Sequence, residues 1–335
     1  MPDRALSRLL EEDWPRTFEE MEARKAAVKH TGRAAAVAHE YSRVEMRTLY
    51  AALLMPLALM AQPSESNIVF GTYSGLALLM DVYKPASPNG YGIVVVPGSG
   101  WHTGLPYNAN LLKQSREFSA YIQRLTAAGY AAFVVTHRAA PRFHFPDAVE
   151  DVQRAVRYVR HHAADYGIAK DRIGALGGSS GGHLVSMLGT LDGKGDAASQ
   201  DQVEQQSSKV QCVVALYPVT DPAKVDTVSG LQAVTSFMGT PARYDPKRFR
   251  DAAPISHVTA DDPPFLLIHG DGDKTVPFNQ SEAMEAALKK AGVVVKLVRV
   301  PGGDHGSDFP GNTQKMDWPG MTLEWFDTYL KKAAR

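Results

Sequence analysis

The segment of residues 172–187 constrains the possible fold of this chain more than any other. It reads as a short apolar strand over 172–176, an abrupt glycine-rich turn, and a helix that continues through Met187. Gly177-Gly178-Ser179-Ser180-Gly181 fits the pattern G-x-S-x-G, in which a serine stands on a strained turn between strand and helix. Glycines flank the serine because strand and helix pass too close for side chains. The hydroxyl then lies at a helix N-terminus, where backbone N–H groups favour developing negative charge.

The same pattern also fits one residue later, with Ser180 in place of Ser179. We interpret Ser179 as the candidate nucleophile, because the strand ends at Gly177 and the paired glycine after the turn serves the contact between helix and strand. A glycine-rich turn without chemistry has the same composition. The interpretation therefore depends on residues elsewhere in the chain.

The composition excludes several classes of protein. At 335 residues the chain can bury a large core, which predicts one α/β domain of about 250 to 300 residues plus an extension. Lys plus Arg and Asp plus Glu are equal at 36 each, with no basic patch, so we expect neither nucleic acid nor an anionic membrane as partner. The single cysteine, Cys212, lies in an apolar run and is expected in the core. The scattered histidines predict no metal site, and no cofactor is expected.

The first 61 residues differ from the rest of the chain. Residues 1–45 are polar, charged and alanine-rich, whereas 46–61 combine a methionine, an arginine and an apolar run that resembles a secretory signal peptide. The run is too short for a stable membrane span. If Met46 is the biological start, the protein is expected to be secreted or periplasmic. Alternatively, residues 1–61 form helices that pack on a cytoplasmic domain as a lid or dimer surface.

Residues 62–335 alternate between strand and helix patterns and predict the catalytic domain. Residues 68–73 and 76–83 predict an antiparallel hairpin, and the apolar run 92–96 predicts a buried parallel strand. Further helices are predicted at about 115–128, 148–163, 281–291 and 321–332, and further strands at 131–136, 172–176, 210–217, 265–269 and 293–300. This alternation predicts a mostly parallel sheet between two layers of helices. The interval of about 219–262 is expected to be a lid-like insertion over the site.

Two loops that follow predicted strands contain candidate partners for the serine. A serine hydroxyl needs a base to remove its proton, and the base needs a third group to hold its tautomer. Asp273 follows strand 265–269 and His305 follows strand 293–300, which gives the chain order Ser, Asp, His. Asp271 is the competing acid, but it directly follows its strand and is expected to bond the turn.

The segment 97–101, after the first parallel strand, is the candidate oxyanion loop. Acyl transfer needs hydrogen-bond donors for the oxygen that becomes negative, and small residues expose backbone N–H groups. We predict the N–H groups of Ser99, Gly100 and Ser180 as these donors. Trp101 beside them is the candidate substrate-binding residue.

Across about residues 67–333 the chain resembles the α/β-hydrolase esterases of the acetyl esterase and hormone-sensitive-lipase-like group, most closely the bifunctional feruloyl and acetyl xylan esterases. The motifs that carry the resemblance are Gly98-Ser99-Gly100-Trp101, His137-Arg138-Ala139-Ala140-Pro141, Phe145-Pro146-Asp147-Ala148, the serine turn, Pro254-Ile255-Ser256-His257-Val258, His269-Gly270-Asp271-Gly272-Asp273 with Val276-Pro277, and Gly303-Asp304-His305-Gly306. The resemblance implies the α/β-hydrolase fold and a serine carboxylesterase acting through an acyl-enzyme. Acetyl or feruloyl esters of plant polysaccharide are the implied natural substrates. An amidase, an aryl formamidase or a peptidase would share every motif.

The chain departs from the family pattern at four positions. The family usually has His-Gly-Gly-Gly-Trp, whereas here Pro97 replaces the histidine and Ser99 a glycine. The backbone donors survive, but a side chain that normally supports the loop is missing. Ser180 stands where alanine is usual, and His137 where tyrosine is usual. We expect these departures to affect acyl preference rather than mechanism.

Aromatic residues near the predicted site indicate a short acyl pocket. Trp101 lies beside the oxyanion loop, and Phe143 and Phe145 follow the next strand. Nothing in the sequence resembles the wide apolar surface that a lipase presents to an oil droplet. We therefore expect esters of acetate to butyrate as substrates, on a small-molecule or saccharide alcohol.

Overall fold

The computed structural model describes residues 62–73, 75–106, 109–314 and 316–331 of the chain. The two interpretations of residues 1–61 lie outside the described residues.

An eight-stranded sheet forms the centre of this part of the chain. Its strands are β1 (Glu65–Tyr73), β2 (Leu76–Tyr83), β3 (Gly92–Val96), β4 (Ala131–Val135), β5 (Ile173–Gly178), β6 (Val213–Leu216), β7 (Phe265–Gly270) and β8 (Val295–Val300). They lie in the order β1-β2-β4-β3-β5-β6-β7-β8. β2 pairs antiparallel with both β1 and β4, and all the other neighbours are parallel. The expected hairpin and the mostly parallel sheet are confirmed.

In the described part of the chain, seven α-helices lie between the strands or follow the last of them. The helices of the described residues are α1 (Ser119–Ala127), α2 (Asp147–His161), α3 (Ser180–Thr190), α4 (Val228–Met238), α5 (Pro246–Asp251), α6 (Asn279–Lys290) and α7 (Trp318–Tyr329). α1 begins four residues later than predicted, because a short 3-10 helix over Leu112–Gln114 ends at Ser115 in extended backbone. No helix in the described ranges is both long and apolar enough to cross a membrane.

The apolar core lies on both faces of the sheet. Successive residues of β3 alternate between the two faces: Val94 and Val96 belong to the core cluster that includes residues of α2, α3 and α6, whereas Ile93 and Val95 belong to the cluster that includes residues of α1 and α7. A parallel strand covered by helices on both faces must be apolar at every position, which is why its sequence is a continuous apolar run. The mostly parallel, three-layer arrangement is the predicted α/β-hydrolase fold.

The interval 219–262 contains α4, α5 and two short 3-10 helices. Val234 and Phe237 from α4 and Phe249 from α5 are buried in the core on the α3 side of the sheet. The interval is therefore a packed helical segment. Its description as a lid stays a prediction.

Candidate active site

Ser179 lies on the sharp turn between β5 and α3. Its backbone has φ 55° and ψ −122°, a conformation that residues with a side chain rarely adopt. A Cβ atom added at Gly177 would lie 2.4 Å from the carbonyl oxygen of Gly181, and one added at Gly181 would lie 1.9 Å from that of Val96. The close passage of strand and helix therefore requires glycine at both positions. This is the arrangement that the G-x-S-x-G pattern predicts.

Three side chains from three loops meet at this turn. His305 Nε2 lies 2.9 Å from Ser179 Oγ, and His305 Nδ1 lies 2.7 Å from Asp273 Oδ2. Ser179 follows β5, Asp273 follows β7 and His305 follows β8, so all three lie at the carboxyl edge of the parallel strands. The carboxylate can only accept a hydrogen bond, so Nδ1 carries the proton and Nε2 turns a lone pair toward the serine. In this tautomer the imidazole can take the proton of the hydroxyl.

Asp273 is buried and surrounded by donors. Its Oδ1 accepts hydrogen bonds from the N–H groups of Thr275 and Val276, each at 2.8 Å. Its Oδ2 accepts from His305 and lies 3.3 Å from Nε2 of His269. Burial alone would raise the pKa of Asp273, but the hydrogen bonds from the two histidines and from Val276, with the charge of His305, lower it below its ordinary value. Asp273 is therefore an anion at neutral pH.

Asp271, the competing acid, is turned away from His305. Its Oδ2 accepts from Arg299 Nε at 2.7 Å, and its Oδ1 accepts from the N–H group of Gly302 at 2.6 Å. These hydrogen bonds, the one from Arg299 above all, lower the pKa of Asp271. Asp271 joins the turns after β7 and β8, as expected for an aspartate that directly follows its strand.

The candidate oxyanion loop faces Ser179, and two of its N–H groups are already engaged. Gly98 N–H donates to Glu117 Oε2 at 2.6 Å, and Ser99 N–H donates to Ser180 Oγ at 2.9 Å. The N–H groups of Gly100 and Ser180 have no hydrogen-bond acceptor within the described residues. Of the three predicted donors, Gly100 and Ser180 are thus free to bind an oxyanion. The Ser99 N–H group can bind an oxyanion only if it gives up its hydrogen bond to the Ser180 hydroxyl. An alanine at position 180 could not accept this hydrogen bond.

Trp101, the predicted substrate-binding residue, packs mainly against the protein. It is only 1% exposed, and its ring stacks on Phe237 with the centroids 4.4 Å apart. Its Nε1–H donates to His183 Nδ1 at 3.1 Å, and His183 Nε2–H donates to the carbonyl of Ala252 at 2.7 Å. Burial lowers the pKa of His183 to about 4, so the imidazole is neutral and can accept this bond. Trp101 is among the residues that line the cavity, but its buried ring is engaged by Phe237 and His183.

A cavity of about 520 Å³ lies over Ser179. Its apolar lining comes from Trp101, Val219, Ala233 and Val276, and its polar lining includes Ser115, Ser307, Glu117 and Asp308. The described lining holds these two carboxylates and no lysine or arginine. The cavity therefore presents negative charge without a compensating cation.

The expectation that Phe143 and Phe145 line the acyl pocket is wrong. Phe145 packs edge-on against Phe237, with the ring centroids 6.0 Å apart, behind the ring of Trp101. Phe143 lines a separate cavity of about 350 Å³ beside β2. The segment that follows β4 is bonded through the main chain of Ala140 to Trp101 and Thr103, yet its two phenylalanines do not line the cavity over Ser179. Nothing in the local sequence indicates this.

Two residues of the site have no counterpart in the sequence predictions. Glu117 precedes α1 and lines the cavity. Tyr217 directly follows β6, and its ring meets the ring of His305 with the centroids 4.7 Å apart. The position of Tyr217 at the carboxyl end of a predicted parallel strand is a sequence feature that indicates a residue of the site. No sequence feature indicates Glu117, because only the fold brings it close to the serine.

Residues 80–288 match the BD-FAE family model. The chain is 30% identical over 245 residues to the esterase LipC of Mycobacterium tuberculosis, which covers 69% of this chain and 57% of LipC. The chain spans about half the length of the curated relatives it matches.

Solved structures of esterases are similar over most of the chain. The acetyl ester-xyloside bifunctional hydrolase from Caldicellulosiruptor lactoaceticus has a TM-score of 0.68 and 28% identity, covering 81% of this chain and 98% of that one. The esterase Est2 from Thermogutta terrifontis, solved with butyrate bound, has a TM-score of 0.63 and 26% identity, covering 82% and 95%. The same esterase has been solved phosphonylated by sarin. With the matched family model extending from β2 into α6, this chain belongs to the BD-FAE family.

Proposed function

We propose that this protein is a serine carboxylesterase that hydrolyses short-chain acyl esters through an acyl-enzyme. The observation that carries the proposal is the hydrogen-bonded chain from Ser179 through His305 to Asp273 at the floor of a cavity. Membership of the BD-FAE family supports it, as does the similarity to proteins named as esterases.

In this mechanism Ser179 Oγ attacks the ester carbonyl carbon while its proton passes to His305 Nε2. Asp273 holds the imidazole in its tautomer and stabilises the imidazolium that forms. The carbonyl oxygen becomes negative and accepts hydrogen bonds from the N–H groups of Gly100 and Ser180. As the tetrahedral intermediate breaks down, the imidazolium gives its proton to the departing alcohol, and the acyl group stays on Ser179.

Water completes the reaction by the same route in reverse. His305 takes a proton from the water molecule, the resulting hydroxide attacks the acyl-enzyme, and a second oxyanion forms in the same place. The intermediate then releases the carboxylic acid, and Ser179 Oγ recovers its proton from His305. The enzyme returns to its starting protonation state.

The cavity favours small, uncharged acyl groups. At about 520 Å³ it holds a short ester, and its apolar lining is limited to a few side chains. Glu117 and Asp308 repel an anionic substrate, because the described lining supplies no cation to neutralise it. Acetyl esters of a saccharide alcohol are the natural substrate class we favour, in line with the acetyl ester-xyloside hydrolase among the similar structures.

A substrate panel tests the proposal. We expect p-nitrophenyl acetate and an acetylated xylo-oligosaccharide to be hydrolysed, and a p-nitrophenyl ester of succinate, which carries a free carboxylate, to react much more slowly. N-formyl anilides and peptide anilides serve as the comparison for amidase, aryl formamidase and peptidase activity. Turnover of these amides alone would contradict the esterase proposal.

A further inference from the structure

The side chain and carbonyl of Glu117 connect three segments of the site. Oε2 accepts the N–H group of Gly98 at 2.6 Å, and Oε1 accepts the hydroxyl of Tyr217 at 2.5 Å. The main-chain oxygen of Glu117 accepts the hydroxyl of Ser307 at 2.7 Å. Gly98 belongs to the oxyanion loop, Tyr217 to the turn after β6, and Ser307 to the loop of His305. Three separate parts of the site thus meet on one residue.

The bond to Gly98 holds the oxyanion loop at the point where it is closest to the nucleophile. A Cβ atom at Gly98 would lie 3.0 Å from both Ser179 Cβ and the Gly178 carbonyl oxygen, so the loop is already in contact with the serine turn. Hydrogen bonds to a carboxylate are shorter and stronger than those between neutral groups. Glu117 therefore supplies the support that the family pattern assigns to a histidine and that Pro97 cannot give.

The bond to Tyr217 acts on the base. Tyr217 has φ 37°, which is strained for a residue with a large side chain, and its ring lies edge-on against His305. A hydrogen bond from its hydroxyl to Glu117 keeps this ring where it limits rotation of the imidazole. The Ser307 hydroxyl, two residues beyond His305, ties the same loop to the main chain of Glu117.

We propose that Glu117 is a positioning residue that keeps the oxyanion loop and His305 correctly placed relative to Ser179. The proposal rests on the esterase function above. Both carboxylate oxygens already accept hydrogen bonds from the protein, so Glu117 acts through Gly98 and Tyr217 rather than by transferring a proton.

Two substitutions in the full chain separate hydrogen bonding from charge. In Glu117→Gln the amide oxygen can accept from Gly98 and the amide N–H can donate to the Tyr217 oxygen, so both links survive without the charge. In Glu117→Ala both are lost. For p-nitrophenyl acetate we expect kcat of Glu117→Ala to fall roughly 10- to 100-fold with KM changed less than about 3-fold. Glu117→Gln should stay within about 5-fold of the wild type in kcat.

Binding of phenylboronic acid provides a readout that a general loss of stability would not change. Boron forms a tetrahedral adduct with the serine that resembles the intermediate, so its affinity depends on the oxyanion loop and the histidine. We expect the affinity to fall in Glu117→Ala in parallel with kcat/KM and to be kept in Glu117→Gln. If Glu117→Ala does not fold, Glu117→Met removes both hydrogen bonds at similar volume and is compared in its place.

Two results would overturn the proposal. One is a Glu117→Ala or Glu117→Met variant that keeps kcat within about 3-fold of the wild type. The other is an equal loss in Glu117→Gln, which would assign the effect to the charge. A wild type without activity on any ester would instead contradict the esterase function itself, so the two failures are distinguishable.

Discussion

The hydroxyl of Ser180 accepts the N–H group of Ser99 at 2.9 Å, beside the candidate nucleophile. This hydrogen bond joins the serine turn to the oxyanion loop, and it exists because serine stands where the family usually has alanine. It also occupies one of the three N–H groups that the sequence predicts as oxyanion donors. The second serine of the turn therefore affects the donors without being the nucleophile.

The substitution Ser180→Ala releases the Ser99 N–H group while keeping the Ser180 backbone donor. We expect kcat for p-nitrophenyl acetate to stay within about 10-fold of the wild type, in either direction, because a donor is freed but the loop loses an anchor. Steady-state kinetics on the purified variant measure this. Loss of all activity in this variant would shift the nucleophile to Ser180.

The matched change at the preceding residue, Ser179→Ala, removes the hydroxyl that His305 contacts. We expect hydrolysis of the same ester to fall by about 10³-fold or more while the thermal unfolding temperature changes little. Reaction of the wild type with a fluorophosphonate, followed by mass spectrometry of the digest, should find the label on Ser179. A label on any other residue would contradict the assignment.

Replacing each of the two competing aspartates tests which acid is hydrogen-bonded to His305 and supports catalysis. Asp273→Asn cannot hold the imidazole as the anion does, so we expect kcat to fall by roughly 10³-fold or more. Asp271→Asn weakens only its bonds to Arg299 and Gly302, at the protein surface, and should keep kcat within about 5-fold. Comparable losses in the two variants would leave the acid unassigned.

Asp273 also predicts a pH dependence of stability. Its pKa is lower in the folded protein than in the unfolded chain, so its contribution to the free energy of unfolding is complete above the ordinary carboxyl range. This contribution begins to be lost as the pH falls below that range and is lost fully only once the pH falls through the lower pKa of the folded protein. The wild type should exceed Asp273→Asn by about 1–3 kcal/mol at pH 6, and this difference should shrink below about pH 4. Urea unfolding of both proteins at pH 6, 5, 4 and 3 measures it. A difference that stays constant over this series would contradict the proposed cause.

The length of the acyl chain is the least expensive test of the cavity. We expect the highest kcat/KM for p-nitrophenyl acetate to butyrate and a steep decline beyond about eight carbons, because each methylene without room forfeits roughly 1 kcal/mol or adds a clash. A series of p-nitrophenyl esters from acetate to palmitate gives the profile. A maximum at long chains, or activation at an oil–water interface, would contradict a short acyl pocket.

The role of residues 1–61 can be tested by deletion. The first strand among the described residues begins at Glu65, so we expect a chain of residues 62–335 to fold and to hydrolyse p-nitrophenyl acetate at a rate similar to that of the full chain. Circular dichroism and the kinetics of both chains give the comparison. A shortened chain that does not fold would favour the interpretation in which residues 1–61 pack on the domain.

The sequence by itself predicts the sheet, its parallel strands and the three residues Ser179, Asp273 and His305, which meet at the serine turn. Each of these depends on local physics: a continuous apolar run marks a strand that helices cover on both faces, and paired glycines mark a turn where backbones pass closely. Asp273 and His305 could be found because parallel strands place their carboxyl ends at one edge of the sheet, so the position along the chain implies a position in space.

Only the tertiary structure decides what surrounds these three residues. Glu117 and Tyr217 are 100 residues apart in the chain, and they meet because β3 and β6 flank β5 in the sheet. Phe145, which its sequence neighbourhood suggested for the acyl pocket, packs on Phe237 behind Trp101 and does not line the cavity over Ser179. Contacts of this kind depend on how elements that are distant in the sequence pack together. Short-range sterics determine the strands and turns, but they do not determine these contacts.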